Sequence, residues 1–350
     1  MKRRAMVEPE IRDHCPESYN ALIDVCHSNG IKVDLLRVRK VLKKKRMQYK
    51  KYPVYDLDKL RQVEFVAVFS PYATSHKVRQ QCKDYRKSLL HMEHGFLPSS
   101  LLCDITGFWG DSYLVNTISQ ELDNLDRDKA IAWADEYSSY LIENNISKRN
   151  QPESTVDIEG DFVFLPMQYM QDQSILRFTR TKYVDFVNEV AQFCSDRSIT
   201  LAIKKHPHAY KKEPKEVDAL FRAMKKRYGD IFQPVDGSVH QLCRDCLFMS
   251  GMNTGSIVDG CINGSVVSHC GQSLFMNSGT VCHDDNVSKG LAKALDVARD
   301  EEARFEMNQR QKLLLYFLYN RYLLLENDTH NSELSNEEKI AFQLSKKGLV

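Results

Sequence analysis

The segment FVFLPMQYMQDQSILRF (residues 162–178) decides how the second half of the chain folds. Its apolar run, 162–165, ends at Pro166. The polar segment that follows contains three candidate functional residues, Gln168, Asp172 and Ser174. This pattern is typical of a buried strand that delivers reactive side chains to the edge of a parallel sheet. Because the segment IKKHPH (203–208) shows the same pattern, we expect two neighbouring strands to end at one polar cleft.

The second half of the chain alternates predicted strands and helices, which is typical of an α/β domain. The predicted strands lie at 162–165, 200–204, 231–234, 246–250 and 265–269. Strands joined by crossover helices form a parallel sheet, and ligands bind outside the carboxyl ends of its strands. We therefore expect the functional residues of this half at the strand ends.

Length and composition favour two domains of this kind with additional segments. The chain has 350 residues, of which 42% are hydrophobic and 27% are charged, so wholesale disorder is excluded. We predict an N-terminal helical basic appendage at 1–60, Rossmann-like domains at 61–150 and 151–285 that face a cleft, and C-terminal helices with a polar tail at 286–350. The span 144–158 is poor in apolar residues and is the predicted linker.

Positive charge is concentrated in one stretch near the N-terminus. The net charge is only +2, which excludes a global attraction to nucleic acid. The stretch 37–51 nevertheless contains these basic residues: Arg37, Arg39, Lys40, Lys43, Lys44, Lys45, Arg46, Lys50 and Lys51. It is predicted to be a helix whose basic face is either solvated or docked on anionic lipid or a polyanionic product.

Neither a membrane span nor a secretion signal is evident in the sequence. No apolar run reaches the roughly 20 residues that a membrane-spanning helix needs, and MKRRAMVEPEIRDH (1–14) lacks the apolar core of a signal peptide. We expect a cytoplasmic protein with at most peripheral contact with the inner face of the membrane through 37–51. The ten cysteines lie mostly in apolar segments, which indicates reduced thiols. Cys243 and Cys246 have metal-like spacing but no second pair, so core packing is favoured.

Glu93 is the first candidate for proton transfer. A predicted strand, 89–92, runs into Glu93, His94 and Gly95, where the glycine permits a tight turn. A glutamate at a strand end is a candidate general acid or base, because a cleft can raise its pKa towards neutrality. The alternative is a solvated glutamate in a turn.

Asp172 is the second candidate, between the hydrogen-bonding residues Gln168 and Ser174. A carboxylate in this setting, with Arg177 and Arg180 close behind, suits a nucleophile or a stabiliser of developing positive charge. In the alternative interpretation, Asp172 and Ser174 only cap the next helix.

The third candidate group is the run Lys204, Lys205, His206, Pro207 and His208. Pro207 ends the strand, the imidazole of His206 can donate to a phosphate oxygen, and the lysines add positive potential. Since no Cys, Asp or Glu adjoins the histidines at ligand spacing, a zinc site is not expected. A structural turn is the alternative.

The fourth group is SGMNTGS (250–256), between a predicted strand and an amphipathic helix. Small and capping residues at a helix start leave N–H groups that can bind phosphate, which makes Asn253, Thr254 and Ser256 candidate ligands. Ordinary capping is again the alternative. The stretch matches neither a Walker A loop nor the dinucleotide fingerprint, so ATP hydrolysis and NAD chemistry both lose support.

Taken in order, these motifs resemble the bacterial capsule polysaccharide biosynthesis family, which includes the KpsC and KpsS proteins. The matching segments are HMEHGFLPSS (91–100), DITGFWGD (104–111), FVFLPMQYMQDQSI (162–175), IKKHPH (203–208) and NTGSIVDGCINGSVV (253–267). The resemblance covers roughly residues 60–275, and its most specific piece is the PxQxxxDxS pattern at 166–174. It implies a GT-B-like fold and transfer of 3-deoxy-D-manno-oct-2-ulosonic acid (Kdo) from CMP-Kdo to a surface glycan or glycolipid.

The resemblance also implies a role for each candidate residue. It makes Asp172 the catalytic carboxylate, a nucleophile in a retaining mechanism, and Glu93 the acid/base on the acceptor side, in 61–150. Gln168 and Ser174 would lie around the nucleotide-sugar donor, in 151–285. The residues expected to bind its phosphate are Lys205, His206, Asn253, Thr254 and Ser256. A CMP-sugar has a single phosphate, so no metal and no other cofactor is expected.

The chain departs from the family pattern in three places. His94 follows Glu93 where the family usually has an acidic residue, NGSV (263–266) stands where the family has Gly-Lys-Pro-Val, and CGQSLF (270–275) replaces an aromatic, glycine-rich segment. These departures concern the sugar and the acceptor more than the fold.

Two other functions fit the same residues. A glycerophosphotransferase acting on CDP-glycerol also uses histidines at strand ends. A non-catalytic module would instead dock on membrane or polyanion through 37–51, with no part for Asp172.

Overall fold

The computed structural model describes residues 3–35, 38–45, 48–55, 61–70, 72, 76–206 and 214–350. Its strands are β1 Arg4–Val7, β2 Lys32–Leu35, β3 Val38–Lys45, β4 Gln48–Tyr55, β5 Phe65–Phe69, β6 Ser88–His94, β7 Ser100–Asp104, β8 Phe162–Pro166, β9 Thr200–Lys204, β10 Phe232–Val235, β11 Phe248–Met252, β12 Val267–Cys270, β13 Cys282–His283 and β14 Leu324–Leu325. Its helices are α1 Pro9–His14, α2 Pro16–Ser28, α3 His76–Asp84, α4 Leu114–Asp123, α5 Arg127–Glu143, α6 Gln173–Phe178, α7 Tyr183–Ser195, α8 Pro214–Tyr228, α9 Val239–Asp245, α10 Ile257–Ile262, α11 Val287–Arg299, α12 Glu301–Phe317 and α13 Asn336–Ser345.

The chain divides into two compact units. Unit 1 comprises 1–95, 99–108 and 319–350, and unit 2 comprises 96–98 and 109–318. Among the helices described, none is long and apolar enough to cross a membrane.

Unit 2 is built on a six-stranded sheet in the order β10-β9-β8-β11-β12-β13, and each neighbouring pair is parallel. Every residue of β8 and of β11 is buried, as expected of strands covered by helices on both faces. The five strands predicted for this half are confirmed to within about two residues. The order matches that of a dinucleotide-binding sheet, in which the chain starts at the centre, moves to one edge and then returns to fill the other side.

This order creates a topological switch point between β8 and β11. The connection after β8 leads to one side of the sheet and the connection after β11 leads to the other, so a crevice opens outside their carboxyl ends. The two motifs singled out from the sequence, 166–174 and 250–256, begin at these two strand ends. The fold therefore places them at the edge where such sheets bind ligands.

Unit 1 contains the other six-stranded sheet, in the order β14-β7-β6-β5-β1-β2. Strands β2, β1, β5 and β6 are parallel, while β7 and β14 add antiparallel pairings at one edge. Because β1 lies between β2 and β5, with Met6 opposite Val66, residues from both sides of the predicted boundary at 60 share one sheet. The boundary fails because β1 is only four residues long and follows a charged N-terminus, so its pattern is too short to indicate a sheet strand.

The basic stretch 37–51 was expected to be a helix, and this prediction is wrong. Within it, β3 and β4 form an antiparallel ribbon that pairs Val38 with Tyr55 at one end and Lys45 with Gln48 at the other. The ribbon is a separate two-stranded sheet. Its β-branched and aromatic residues have strand propensity, which outweighed the apparent helical spacing of the apolar positions.

The predicted linker, 144–158, does not separate the two units. The backbone N–H of Val156 donates to Gln241 Oε1 (2.9 Å), and Gln241 Nε2 donates back to the Val156 carbonyl (2.7 Å). Earlier in the chain, Trp133 of α5 packs edge-on against Tyr316 of α12, with ring centroids 5.6 Å apart. Helices α4 and α5 therefore belong to unit 2, and the boundary predicted at 150 lies inside that unit.

The C-terminal segment of unit 1 is held by a buried lysine. Lys339 on α13 is 2% exposed, and its Nζ donates to the carbonyls of Tyr319 (2.8 Å) and Leu323 (2.9 Å) and to Ser332 Oγ (2.8 Å). Burial lowers the pKa of Lys339 from 10.5 to about 8. The ammonium thus fixes α13 to the chain segment that enters β14.

This lysine predicts a specific pH dependence of stability. Between about pH 8 and pH 10.5 the unfolded chain binds more protons at Lys339 than the folded chain does, so folding stability from this group rises with pH. Relative to Lys339→Met, the wild type should gain about 2 kcal/mol of unfolding free energy between about pH 7 and about pH 10. Denaturant unfolding at both pH values measures the difference, and equal changes in the two proteins would contradict it.

Candidate functional site

Three of the predicted residues meet across the switch point of unit 2. Gln168, just after β8, donates from Nε2 to the carbonyl of Asn253, just after β11 (3.0 Å). Ser174 donates from Oγ to the same carbonyl (3.2 Å). All three residues are buried. The connections after β8 and β11 are therefore joined by hydrogen bonds at one backbone oxygen.

The side chain of Asn253 extends this network to a third segment. Its Nδ2 lies within hydrogen-bonding distance of the carbonyls of Ser174 (3.1 Å), Phe178 (3.3 Å) and Gln272 (3.3 Å). The backbone of Asn253 has a φ of +42°, which asparagine tolerates better than most residues. Because its amide hydrogens are already shared among three carbonyls, the Asn253 side chain has no N–H left to offer a phosphate.

Gly271 makes room for this asparagine. Its φ is +129°, and a Cβ at this position would lie 2.8 Å from Cγ and 2.8 Å from Oδ1 of Asn253. Both the backbone conformation and the space therefore require glycine. Sequence reasoning missed Gly271, because nothing in CGQSLF (270–275) indicates that the Asn253 side chain packs on it.

Two buried oxygens of the network have no hydrogen-bond partner among the described residues: Gln168 Oε1 and Asn253 Oδ1. The assignment of nitrogen and oxygen in each amide follows from the neighbours, since Nδ2 and Nε2 face carbonyl oxygens. A buried acceptor without a donor costs about 1–3 kcal/mol. The switch point therefore contains two buried acceptor oxygens that lack a donor among the described residues.

Asp172 is the N-cap of α6. Its Oδ1 accepts from the backbone N–H of Ser174 at 2.8 Å, and its backbone is extended, as expected at a cap. The capping role left open by the sequence is thus realised by one carboxylate oxygen. The cap also fixes the orientation of the carboxylate at the edge of the switch point.

His206 reaches the same edge on the neighbouring strand. The register pairs Pro166 of β8 with Lys204 of β9, and the Met167 N–H donates to the Lys204 carbonyl (2.8 Å). His206 and Gln168 each lie two residues past this last pair, so both follow the carboxyl ends of neighbouring parallel strands. Pro207 and His208 lie outside the described residues.

The two lysines before His206 have other contacts. Lys204 Nζ donates to the carbonyl of Gly237 (2.6 Å) and lies 3.6 Å from Asp236 Oδ1, and burial lowers its pKa. Lys205 is exposed, and its Nζ lies 5.7 Å from the centre of the Phe221 ring on α8. His206, the next residue, is the last described residue of the basic run.

The start of α10 differs from the expected phosphate site. Thr254 Oγ1 accepts from the Ser256 N–H (3.3 Å), the Thr254 carbonyl accepts from the Ile257 N–H (3.3 Å), and the Gly255 carbonyl accepts from the Val258 N–H (3.1 Å). These N–H groups already have acceptors within the turn. Ser256 is the N-cap residue without a side-chain cap bond, and α10 has six residues, which leaves little helix dipole for an anion.

Two histidines that the sequence analysis did not select support the network from the β12 side. His269 is fully buried, its Nε2 is 2.9 Å from Ser273 Oγ, and burial lowers its pKa to about 3, so it is neutral. His283 Nε2 donates to the Gly271 carbonyl (3.1 Å). The position of His269 at a strand end was the available signal, but SVVSHC (265–270) carries no neighbouring polar motif.

Glu93, the predicted acid/base, lies in unit 1 on β6. Its Oε2 accepts from Ser70 Oγ (2.6 Å) and its Oε1 accepts from the His94 N–H (3.0 Å). The turn behind it needs Gly95, because a Cβ there would lie 2.1 Å from Ser100 Oγ. Glu93 is thus a half-buried carboxylate held by hydrogen bonds, unlike the solvated glutamate that the sequence left open.

The cysteines and acidic residues provide no metal centre in the described part of the chain. No group of three or more His, Cys, Asp or Glu residues there could hold an ion. Cys246 Sγ donates to the Cys243 carbonyl (3.2 Å), and burial raises the pKa of Cys246 to about 12. The pair contributes to packing.

Comparison with known proteins gives matches in structure only. No protein-family model and no curated protein matches the sequence. Among solved structures, the chain is similar to the Thermosulfurimonas dismutans KpsC β-Kdo 2,4-transferase, with a TM-score of 0.54 and 15% identity over 84% of this chain and 90% of that one. It is also similar to the β-Kdo 2,7-transferase of the same KpsC, with a TM-score of 0.54 and 14% identity over 99% of each chain.

At this level of identity the likeness concerns the fold. The likeness to both transferases, together with the two α/β sheets described above, confirms the predicted GT-B-like fold class.

The hydrogen-bond network at the switch point predicts that a methyl group added at Gly271 destabilises the protein more than one added at another glycine with positive φ. Gly271→Ala should lower the unfolding free energy by about 3 kcal/mol, because it combines a disfavoured backbone conformation with displacement of Asn253. Gly160→Ala is the matched control, since Gly160 also has positive φ (+74°) but open space around it. The control should cost about 1 kcal/mol in chemical denaturation. Equal costs would mean that Asn253 does not depend on Gly271.

Proposed function

We propose that the chain is a glycosyltransferase that transfers an acidic, Kdo-like sugar from a CMP-activated donor to a surface glycan or glycolipid. The observation that carries the proposal is the buried network at the switch point of unit 2, with its two acceptor oxygens on Gln168 and Asn253. The fold shared with two Kdo transferases supports it, as do the sequence motifs.

The chemistry of the network suits a sugar nucleotide. The hydroxyl groups of a sugar, or the amino group of cytosine, supply the donors that Gln168 Oε1 lacks, whereas an ionised phosphate has only acceptors. We assign phosphate binding to His206, at the end of the neighbouring strand, because its imidazole can donate to a phosphate oxygen. This division assigns Gln168 to sugar or base recognition and leaves Asn253, Thr254 and Ser256 to shape the turn.

The proposed reaction proceeds in two displacements. An oxygen of the Asp172 carboxylate bonds to the anomeric carbon as the bond from that carbon to the phosphate oxygen breaks, and CMP leaves. The acceptor hydroxyl then attacks the same carbon, its proton passes to Glu93, and the Asp172 carboxylate departs with net retention. The leaving group carries one phosphate, so the proposal includes no metal ion to bridge a diphosphate.

The acceptor side of the proposal involves the membrane surface. The strands of the β3–β4 ribbon contain these basic residues: Arg39, Lys40, Lys43, Lys44, Lys45, Lys50 and Lys51. Each lysine or arginine near an anionic leaflet contributes roughly 1 kcal/mol of attraction. The proposed enzyme would be cytoplasmic and would meet a lipid-linked acceptor by peripheral contact through this ribbon.

The catalytic role of Asp172 is separable from its capping role. Asn caps helices about as well as Asp does but is not a carboxylate nucleophile, so Asp172→Asn should keep α6 intact. We expect this variant to melt within about 3 °C of the wild type. Its rate of sugar transfer from CMP-Kdo should fall at least about a thousandfold, as measured by CMP release and by mass analysis of the product.

The same assays separate the alternatives. A CDP-glycerol-type transferase would leave phosphate in the product, which the mass would reveal. A non-catalytic module would keep its biological function in Asp172→Asn and lose it when Lys43, Lys44 and Lys45 are neutralised. If Asp172→Asn transfers sugar at the wild-type rate, Asp172 is not the nucleophile. If the wild type turns over neither CMP-Kdo nor CMP-sialic acid, the assignment of a CMP-activated donor is wrong.

A further inference from the structure

Ser70 has an unusual backbone conformation at the carboxyl edge of the unit 1 sheet. It follows β5 directly, and its φ is +50°, a region that serine seldom occupies. Its N–H donates to the carbonyl of Met92 on β6 (2.8 Å), which holds the residue beside that strand. Non-glycine residues with positive φ cost about 1–3 kcal/mol and persist where the surroundings enforce them, often at functional sites.

The consequence of this conformation is a short hydrogen bond. Ser70 Oγ reaches Oε2 of Glu93, the residue after Met92, at 2.6 Å. The other oxygen, Oε1, accepts from the His94 N–H at 3.0 Å. Each carboxylate oxygen has two lone pairs, so a carboxylate fixed in this way can still accept a proton.

The Cys15 thiol and the imidazoles of His14 and His94 lie in the neighbourhood of the Ser70–Glu93 pair. Burial, followed by the charges of Glu326 and Glu93, raises the pKa of the Cys15 thiol to about 12, so this thiol is neutral. His94, on the same strand, and His14, at the end of α1, both pack on Phe69, with ring centroids 5.1 Å away in each case.

We propose that Ser70 is the positioning residue of Glu93, holding the carboxylate in one orientation and favouring its ionised form. This inference rests on the proposed function, in which Glu93 takes the proton of the acceptor hydroxyl as that oxygen bonds to the anomeric carbon. A hydrogen bond donated to an ionised carboxylate stabilises the ionised form. Removal of the Ser70 hydroxyl should therefore raise the pH at which Glu93 is protonated. A base protonated at the working pH cannot accept the proton.

Two substitutions at Ser70 separate the effect of its hydroxyl group from the effect of its backbone conformation. Ser70→Gly removes the donor and suits positive φ, whereas Ser70→Asn also tolerates positive φ and keeps a side-chain N–H donor. Ser99→Gly is the matched control, because Ser99 also has positive φ (+48°) in unit 1 but is exposed. All three variants should melt within about 3 °C of the wild type.

The readouts are steady-state kinetics with CMP-Kdo across pH, and the titration of Glu93 followed by carboxyl ¹³C NMR. Ser70→Gly should lower kcat about tenfold with little change in KM, and the acidic limb of its pH profile should move to higher pH. Ser70→Asn should recover most of the activity, and Ser99→Gly should match the wild type. A folded Ser70→Gly enzyme with wild-type kcat and pH profile would overturn the proposal.

The NMR titration keeps this test independent of the proposed function. If the wild type turns over no CMP-sugar, the transferase assignment fails, and the titration alone decides about Ser70. A higher protonation midpoint of Glu93 in Ser70→Gly than in the wild type, restored in Ser70→Asn, supports the positioning role. An unchanged midpoint overturns it.

Discussion

The hydrogen bonds at Asn253 are the constraint on which the candidate site depends. The carbonyl of this residue accepts from Gln168 and Ser174, and its amide faces the carbonyls of Ser174, Phe178 and Gln272. One residue after β11 thus fixes the connection after β8 and the loop after β12. The parallel strand order makes this possible, because it brings the carboxyl ends of these strands to one edge at a switch point.

The network also changes which chemistry each residue can perform. Asparagine and a helix start suggested a phosphate site, but the amide hydrogens of Asn253 and the first N–H groups of α10 already have acceptors. The remaining polar atoms are oxygens, and oxygens of this kind recognise hydroxyl and amino groups. We propose a sugar nucleotide as the ligand because it supplies both kinds of donor, whereas a free anion supplies neither.

The sequence predicted the parallel sheet of unit 2 and the strand ends that carry Gln168, Asp172 and Asn253, because buried strands that end in polar residues leave a strong local pattern. The contact between Gln168 and Asn253 joins residues 85 positions apart, and the requirement for Gly271 depends on that contact, so no local pattern reveals either. In unit 1, a four-residue strand and a basic ribbon are too short or too polar to be distinguished from helix or loop. Each unit is also assembled from segments that are separate in the sequence, so a division into consecutive domains cannot describe them.

The proposed function requires the switch point of unit 2 to bind the nucleotide sugar. A crystal structure with CMP and a non-hydrolysable Kdo donor analogue tests it most directly. In this complex the phosphate should lie within about 3 Å of the His206 imidazole, and a ligand hydroxyl or amino group should lie within about 3.2 Å of Gln168 Oε1. A nucleotide bound elsewhere, or a Gln168 Oε1 that accepts no hydrogen bond from the ligand, would show that the switch point does not bind the donor as proposed.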